Sequence, residues 1–348
     1  MKICIVGSVG DNSVTCSGQI LRTRVLKEYL EKEYGKENVI VVNTNDYKRN
    51  ALKITISLFF SLVRCKVYIV MLSRNGRRVI YPIMHLYKRV FKKHVFNNVI
   101  GGGYAESIAD NPKLIKYTKS FDVNWVQSQS MLDNLNKIDV HNVEVLPNSK
   151  PQRISEMISD RSANASNRFI FCTFSRVMKD KGIEDAIKAV ELANATRGKN
   201  DIFLWIYGSV ESNYQEQFEQ VINISSKNIE YKGYVSPEET TDVLEKCYAL
   251  LFPTVWSGEG FPGTVLDGFA AGLPVFATDW NCNAEVISNG LTGGIYDVSD
   301  KDALKNYILW AVENENEIDK MRRNCVVEAE RYTPENVMPI IFSKINQC

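Results

Sequence analysis

Residues 259–275 read EGFPGTVLDGFAAGLPV, and this stretch indicates the fold more clearly than any other part of the chain. Its pattern predicts a helix lying between two buried strands. Pro262 suits the first turn of that helix, where a missing N–H group costs nothing. Gly260 and Gly263 carry no side chain, so a ligand can approach the backbone closely there.

The start of this predicted helix is suited to binding an anion. The free amide groups of the first turn and the helix dipole together attract a group such as a diphosphate. Glu259 and Asp267 are separated by seven residues, about two helical turns, so they can contact different parts of one ligand. The alternative is that Glu259 is only a charge near the helix start and Asp267 only a surface acid.

A second motif places two cations after a strand. Residues 174–182 read FSRVMKDKG, so Arg176 and Lys181 follow the strand predicted over residues 168–174. Cations at the carboxyl end of a parallel strand can hold a diphosphate and stabilise its departure as a leaving group. The alternative role for both residues is that of ordinary surface cations.

Strands and helices alternate along both halves of the chain, which predicts an α/β fold of two doubly wound parallel sheets. Residues 151–167 are polar and rich in Ser and Asn, a composition typical of a linker. We therefore predict a first domain over residues 1–165 and a second over 166–333. Residues 334–348 form a last helix that is predicted to pack back on the first domain.

Composition excludes several classes of protein. The 348 residues are 45% hydrophobic and 24% charged, as in an ordinary globular protein. The eight cysteines form no CxxC pair, so we predict free thiols and neither a zinc site nor a disulfide framework. The longest apolar stretch, near residues 54–63, is too short to span a bilayer, and the Phe59-Phe60 pair within it is predicted to be core.

Charge is distributed unevenly between the two halves. Residues 1–150 hold 23 Lys and Arg against 12 Asp and Glu, a difference of +11, and residues 151–348 hold 19 against 29, a difference of −10. The basic half is predicted to attract an anionic surface or ligand, although the two halves could instead attract each other. Residues 81–96 mix aromatic and basic side chains, which favours either contact with an anionic membrane or an ordinary helix with a solvated face.

The stretch over residues 259–275 resembles the signature of the retaining glycosyltransferases of the GT-B type. Those enzymes have two Rossmann-like domains that face each other across a cleft, and they include many bacterial capsule, O-antigen and exopolysaccharide enzymes. Their signature is an acid, seven residues and a Glu, followed by a small-residue helix and Gly-Leu-Pro-Val; here Asp267 replaces the second acid. The resemblance implies that Glu259 contacts the donor sugar and Asp267 the ribose, while Arg176 and Lys181 hold the diphosphate.

Further matches extend the implied donor site. The resemblance places Gly18-Gln19, at the end of the loop over residues 7–18, against the donor phosphates, and it places the Gly233-Tyr234-Val235 segment beside the nucleotide base. It also implies that protein cations replace a metal ion, so neither a metal nor a cofactor is expected. The catalytic candidates are therefore Glu259, Arg176 and Lys181. The donor-binding candidates are Gly18, Gln19, Gly208, Tyr234, Val235, Gly260, Phe261, Pro262, Gly263, Thr264 and Asp267.

Together these features predict an enzyme that moves a sugar from a nucleoside diphosphate sugar, with UDP as the expected nucleotide, to a saccharide acceptor. The expected acceptor is linked to polyprenyl diphosphate, and the expected location is the cytoplasmic face of the cell membrane in bacterial surface polysaccharide synthesis. Nucleic acid is not an expected partner. The alternatives are a nucleotide-hexosamine epimerase and a non-catalytic partner subunit of the same fold. An NAD-dependent dehydrogenase is disfavoured because the chain lacks a GxGxxG fingerprint.

Overall fold

A computed structural model of the chain describes residues 1–10, 18–156 and 168–348. It divides into two compact units, one formed by residues 1–151 with 334–348 and the other by residues 152–333. Each unit is a parallel sheet with helices between its strands, which confirms the predicted class of two Rossmann-like α/β units. The division falls earlier than the predicted one because Ser155 already belongs to the second unit, where its N–H donates to the Ala270 carbonyl at 2.7 Å.

The first unit begins with strand and helix in regular alternation. Its strands are β1 (Ile3–Gly7), β2 (Val39–Asn43), β3 (Val67–Met71), β4 (His94–Asn98), β5 (Val123–Val126) and β6 (Val143–Val145). Its helices up to that point are α1 (Gly18–Tyr34), α2 (Tyr47–Arg64), α3 (Arg74–Phe91), α4 (Tyr104–Ala109), α5 (Pro112–Ser120) and α6 (Gln129–Lys137). The central strands are buried on both faces, as parallel strands between two helix layers must be.

The order of the first sheet is β2-β1-β3-β4-β5-β6, with all pairs parallel. The register aligns Ile5 of β1 with Val41 of β2 on one side and with Ile69 of β3 on the other. The strand order therefore reverses direction between β1 and β3. Ligands of such sheets bind at this point, outside the carboxyl ends of the strands.

The second unit repeats the plan with a different strand order. Its strands are β7 (Phe169–Phe174), β8 (Ile202–Tyr207), β9 (Ile229–Gly233), β10 (Ala249–Phe252), β11 (Val275–Thr278) and β12 (Gly293–Tyr296). Its helices are α7 (Ile183–Arg197), α8 (Gln215–Ile224), α9 (Thr240–Leu244), α10 (Gly263–Ala270), α11 (Asn283–Val286), α12 (Ala303–Glu313) and α13 (Glu315–Glu330). The sheet runs β9-β8-β7-β10-β11-β12, so its order reverses between β7 and β10.

The last helix, α14 (Pro334–Ile345), belongs to the first unit. Val337, Met338 and Ile341 are buried there in the same apolar cluster as β1 and α1. The Tyr29 hydroxyl donates to Glu335 at 2.5 Å, and Lys344 pairs with Glu144 at 2.5 Å. Apolar burial and polar contacts together hold the helix against the first sheet.

Helix α2 and its surface differ from the sequence-based expectation. The sequence analysis assigns no helix to this region and places Phe59 and Phe60 in the core. Phe59 is instead 64% exposed and Phe60 56% exposed, while Ile54 and Leu58 on the opposite side of the helix are buried. The prediction for the pair was wrong because an amphipathic helix needs only one apolar stripe to pack, and this one carries a second.

Candidate active site

The predicted cation motif and acidic motif follow two neighbouring strands of the second sheet. Residues 175–182 follow β7, residues 253–262 follow β10, and β7 pairs with β10 at the point where the strand order reverses. The carboxyl ends of adjacent parallel strands meet at one edge of the sheet, and ligands bind in the crevice there. The two motifs therefore share one end of the second unit.

The start of α10 is tied directly to the end of β7. The Thr264 hydroxyl donates to the Phe174 carbonyl at 2.8 Å, which is two residues before Arg176. Pro262 adopts an extended conformation and precedes the helix, so Glu259 lies in the preceding loop rather than on the helix. The space before the helix is open, since a Cβ atom added at Gly263 would meet no atom within 4 Å.

Lys181 and Glu259 form an ion pair at the centre of this region. Both residues are buried, and the Thr254 hydroxyl donates to the same Glu259 oxygen at 3.3 Å. Burial lowers the pKa of Lys181 below its ordinary value, and the neighbouring charge of Glu259 partly offsets that effect. The pair therefore places a weakly solvated cation and a weakly solvated carboxylate side by side.

Trp256 lies close to both predicted cations, although the sequence analysis did not identify it. Its ring centroid is 4.9 Å from the Lys181 ammonium nitrogen and 5.2 Å from the Arg176 guanidinium carbon. The Arg176 guanidinium also donates to Glu211 at 3.3 Å, and its side chain is exposed. A large aromatic residue in a loop that joins a buried strand to a glycine-rich turn is the signal that could have identified it.

The loop after β11 holds the acidic motif in place. The Asn281 side-chain amide donates to the Glu259 carbonyl at 2.9 Å, and the Trp280 indole N–H donates to the Trp256 carbonyl at 2.9 Å. Asn281 adopts a left-handed backbone conformation, with φ of +51°, to make this contact. The loop therefore supports the backbone that carries Glu259.

Two glycines allow the strand ends to approach each other. Gly182 has φ of +70°, and a Cβ atom added there would lie 2.2 Å from the Pro253 carbonyl oxygen. Gly208 has φ of +136°, and an added Cβ atom would lie 1.8 Å from the Ser175 carbonyl oxygen. Both positions therefore require glycine. Because glycine has no side chain, the turns after β7, β8 and β10 can approach each other closely.

The remaining predicted donor residues of the second unit occupy varied positions. Tyr234 follows β9 and is 64% exposed, whereas Val235 packs against the apolar core. The Phe261 ring packs 5.5 Å from Tyr332, and the open space lies at the backbone of Gly263. Asp267 is nearly fully buried in α10. Their contacts with a nucleotide stay predictions.

Gly18 and Gln19 lie in the first unit, at the start of α1. The Gln19 side-chain amide donates to the Met71 carbonyl at 3.3 Å, which places it at the point where β1 and β3 meet. A Cβ atom added at Gly18 would meet nothing within 4 Å. Residues 11–17 of the predicted phosphate loop lie outside the described residues, so the contact of Gly18 and Gln19 with donor phosphates also stays a prediction.

Within residues 1–10, 18–156 and 168–348, no group of three or more His, Cys, Asp or Glu side chains could hold a metal ion. The cysteines of these ranges are free thiols, and Cys16 lies outside them.

Comparison with known proteins identifies the family. The family of "Glycosyl transferases group 1" matches residues 154–331. The alpha-galactosylglucosyldiacylglycerol synthase of Streptococcus pneumoniae is 24% identical over 181 residues, which cover 51% of this chain and 45% of that protein. The D-rhamnosyltransferase WbpZ of Pseudomonas aeruginosa is 26% identical over 111 residues, which cover 32% of this chain and 29% of WbpZ. The matches thus span less than half the length of these relatives.

Solved structures agree at the level of the fold. HepE from Anabaena, crystallised in complex with UDP, has a TM-score of 0.78 and 13% identity over the full length of both chains. The lipopolysaccharide outer core galactosyltransferase WaaB has a TM-score of 0.71 and 17% identity, and covers 99% of this chain.

The fold and the site define a protein of the GT-B class, with one Rossmann-like unit that presents cations and a helix start at its strand-order reversal. The chain belongs to the group 1 glycosyl transferases. Membership of this family agrees with the transferase class that the sequence analysis predicted.

Proposed function

We propose that the chain transfers a sugar from a UDP-sugar to a saccharide linked to polyprenyl diphosphate, with retention at the anomeric carbon. The single observation that supports this most is the buried pair of Lys181 and Glu259 beside Arg176, at the carboxyl ends of β7 and β10. Bacterial surface polysaccharide synthesis is the proposed setting, consistent with a D-rhamnosyltransferase and a glycolipid synthase among the relatives.

In this proposal the two cations act on the leaving group. Lys181 and Arg176 bind the diphosphate and stabilise the negative charge that develops when the bond to the sugar breaks. Because Lys181 is largely removed from water, its interaction with a phosphate oxygen is stronger than that of an exposed lysine. The two cations then supply the positive charge that a metal ion supplies in metal-dependent enzymes. We therefore propose a reaction without metal or cofactor.

The proposed roles of the other residues follow from their positions. Glu259 is fixed through its backbone by Asn281 and through its side chain by Thr254, so it can accept hydrogen bonds from donor sugar hydroxyls in a defined orientation. The open backbone before α10 binds the diphosphate through its free amides. Asp267 binds the ribose, and the segment after β9 borders the base.

A panel of nucleoside diphosphate sugars tests the function. Nucleotide release is expected with one UDP-sugar, to increase when a polyprenyl-diphosphate-linked saccharide is added, and to persist with EDTA. The anomeric configuration of the product, read by NMR, is expected to match that of the donor. Interconversion of UDP-hexosamines without acceptor would instead indicate the epimerase, and silence with every donor and acceptor would indicate the non-catalytic subunit.

We also propose that the first unit binds an anionic membrane through a surface formed by α2 and α3. This α2–α3 face carries large apolar side chains that are exposed: Leu52, Ile56, Phe59, Phe60, Val63, Val79, Leu86, Val90 and Phe91. The two helices are neighbours, since the Tyr87 hydroxyl of α3 donates to the Leu58 carbonyl of α2 at 2.9 Å. Large apolar side chains exposed together on two neighbouring helices mark an interaction surface.

The charge around the α2–α3 face selects the partner. Between Asp46 and Glu106 the sequence contains twelve Lys and Arg residues and no Asp or Glu. Lys53, Arg78 and Arg89 are exposed on the two helices themselves. An apolar face with a basic margin suits an anionic bilayer surface, where apolar side chains enter the headgroup boundary and cations meet lipid phosphates. Within the described residues, no helix combines the length and apolar content needed to cross a bilayer.

Replacing Phe59 and Phe60 together with serine is expected to weaken binding to vesicles of phosphatidylcholine and phosphatidylglycerol by about 10–100-fold, because two aromatic side chains no longer enter the bilayer boundary. Vesicle co-sedimentation measures the effect. The matched control is Ile224→Ser with Val327→Ser, which changes two exposed apolar side chains of the second unit. Equal binding by both double variants, or no preference for phosphatidylglycerol over phosphatidylcholine alone, would contradict the proposal.

A further inference from the structure

Arg22 lies in the first turns of α1, four residues after the helix begins at Gly18. The turn before it is fixed to the sheet, because the Gln19 side chain donates to the Met71 carbonyl at the end of β3. Arg22 itself reaches the end of β4, where its Nη2 donates to the Asn98 side-chain oxygen at 3.2 Å. The guanidinium therefore lies at the carboxyl edge of the first sheet, where ligands of such sheets bind.

The hydrogen bonding of this guanidinium is incomplete. Its Nη1 is shielded from solvent and has no hydrogen-bond partner in the described part of the chain. Arg77 of the same unit shows the usual arrangement, in which the guanidinium donates to the Leu72 and Ile100 carbonyls and to the Ser107 hydroxyl. A shielded N–H group without an acceptor is rare in a folded protein and calls for an explanation.

Among residues 1–10, 18–156 and 168–348, no ion pair with a carboxylate compensates the charge of Arg22. Its side-chain hydrogen bond there is to Asn98, a neutral amide. Burial lowers the pKa of Arg22 to about 10, so the side chain still carries its charge at neutral pH. A shielded cation without a counter-ion is unfavourable, and an anion that accepts from the guanidinium would remove that cost.

The backbone near Arg22 and Asn98 is open at two glycines. A Cβ atom added at Gly18, before Arg22, or at Gly101, three residues after Asn98, would meet no atom within 4 Å. The planar guanidinium presents paired N–H donors that match the oxygens of a phosphate group. The hydrogen bond from its Nη2 to Asn98 fixes its orientation. We propose that Arg22, oriented by Asn98, is a phosphate-binding residue at the carboxyl edge of the first sheet.

The phosphate can come from either of two substrates of the proposed reaction, and only this choice of source rests on the proposed function. One is the diphosphate of the sugar nucleotide, and the other is the diphosphate of the lipid-linked acceptor. Both present the same chemistry to a guanidinium. The site itself is testable with inorganic pyrophosphate, without any turnover.

Hydrogen–deuterium exchange with pyrophosphate tests the site where it lies. Exchange in α1 and around Asn98 is expected to slow several-fold in the wild type and in Arg24→Met, a control on the exposed side of the same helix, but not in Arg22→Met. Reading these peptides separates the first unit from any binding in the second. Equal protection in Arg22→Met, or none in the wild type, would overturn the proposal.

Thermal unfolding and steady-state kinetics complete the test. Arg22→Met removes a charge that has no counter-ion among the described residues, so it is expected to unfold at the same or a higher temperature than the wild type. If Arg22 were purely structural, its replacement would lower the unfolding temperature. The variant is expected to raise KM about 10-fold or more for one substrate, with partial recovery in Arg22→Lys. A rise for the sugar nucleotide or for the lipid-linked acceptor identifies the source, and a change in neither overturns the proposal.

Discussion

Lys181→Met is expected to lower the rate of sugar transfer by about 10²–10³-fold, because it removes a preorganised cation from the departing diphosphate. The effect should appear mainly in kcat, since the leaving group is most charged in the transition state. Lys179→Met is the matched control, because it removes an exposed lysine from the same short 3₁₀ turn and should leave transfer nearly unchanged. Steady-state release of nucleotide measures both.

A second variant separates loss of chemistry from loss of folding. Lys181→Met alone leaves the buried Glu259 carboxylate without its partner, which is expected to cost about 3–5 kcal/mol in free energy of unfolding. Combining it with Glu259→Gln removes the stranded charge and should restore most of that stability. If the double variant folded and transferred sugar at the wild-type rate, the assigned role of the pair would be wrong.

Gly182→Ala is expected to destabilise the second unit strongly. The substitution combines a left-handed backbone with a contact of 2.2 Å to the Pro253 carbonyl oxygen, and should lower the free energy of unfolding by about 3–4 kcal/mol. The turn that it distorts carries Lys181, and the Asp180 carbonyl accepts from the Val255 N–H at 2.8 Å. Transfer should therefore fall together with stability.

Gly198→Ala is a close control for this effect. Gly198 has φ of +63° and ψ of +24°, against +70° and +27° for Gly182, but an added Cβ atom would meet nothing within 4 Å. Its replacement should lower the free energy of unfolding by only about 1 kcal/mol, the cost of placing alanine in a left-handed backbone conformation. Chemical denaturation of both variants measures the difference, and equal losses of stability would show that the contact with Pro253 does not matter.

The convergence of the site could be predicted because it follows from strand ends. Arg176 and Glu259 are far apart in sequence, yet each follows a strand that could be recognised from its apolar pattern. Parallel strands place their carboxyl ends at one edge, and the bond from Thr264 to the Phe174 carbonyl joins the two motifs there. The family signature adds the identity of the chemistry, which the strand pattern alone does not contain.

Other features depend on packing that a linear pattern does not encode. The pairing of Lys181 with Glu259 and the position of Trp256 close to two cations result from the path of loops. The same holds for α2, whose apolar run predicts a core segment. Phe59 and Phe60 point away from the stripe that packs on the sheet, and only the helical phase of Ile54 and Leu58 separates the two sides.

The central claim is that the cations after β7 and the helix start after β10 bind the diphosphate of the donor. Calorimetric titration of each nucleoside diphosphate and its monophosphate, into the wild type and into Lys181→Met/Glu259→Gln, tests it most directly. For the cognate base we expect the diphosphate to bind more tightly than the monophosphate in the wild type, and the double variant to reduce that preference by about 10-fold or more. An unchanged preference in a folded double variant would contradict the account.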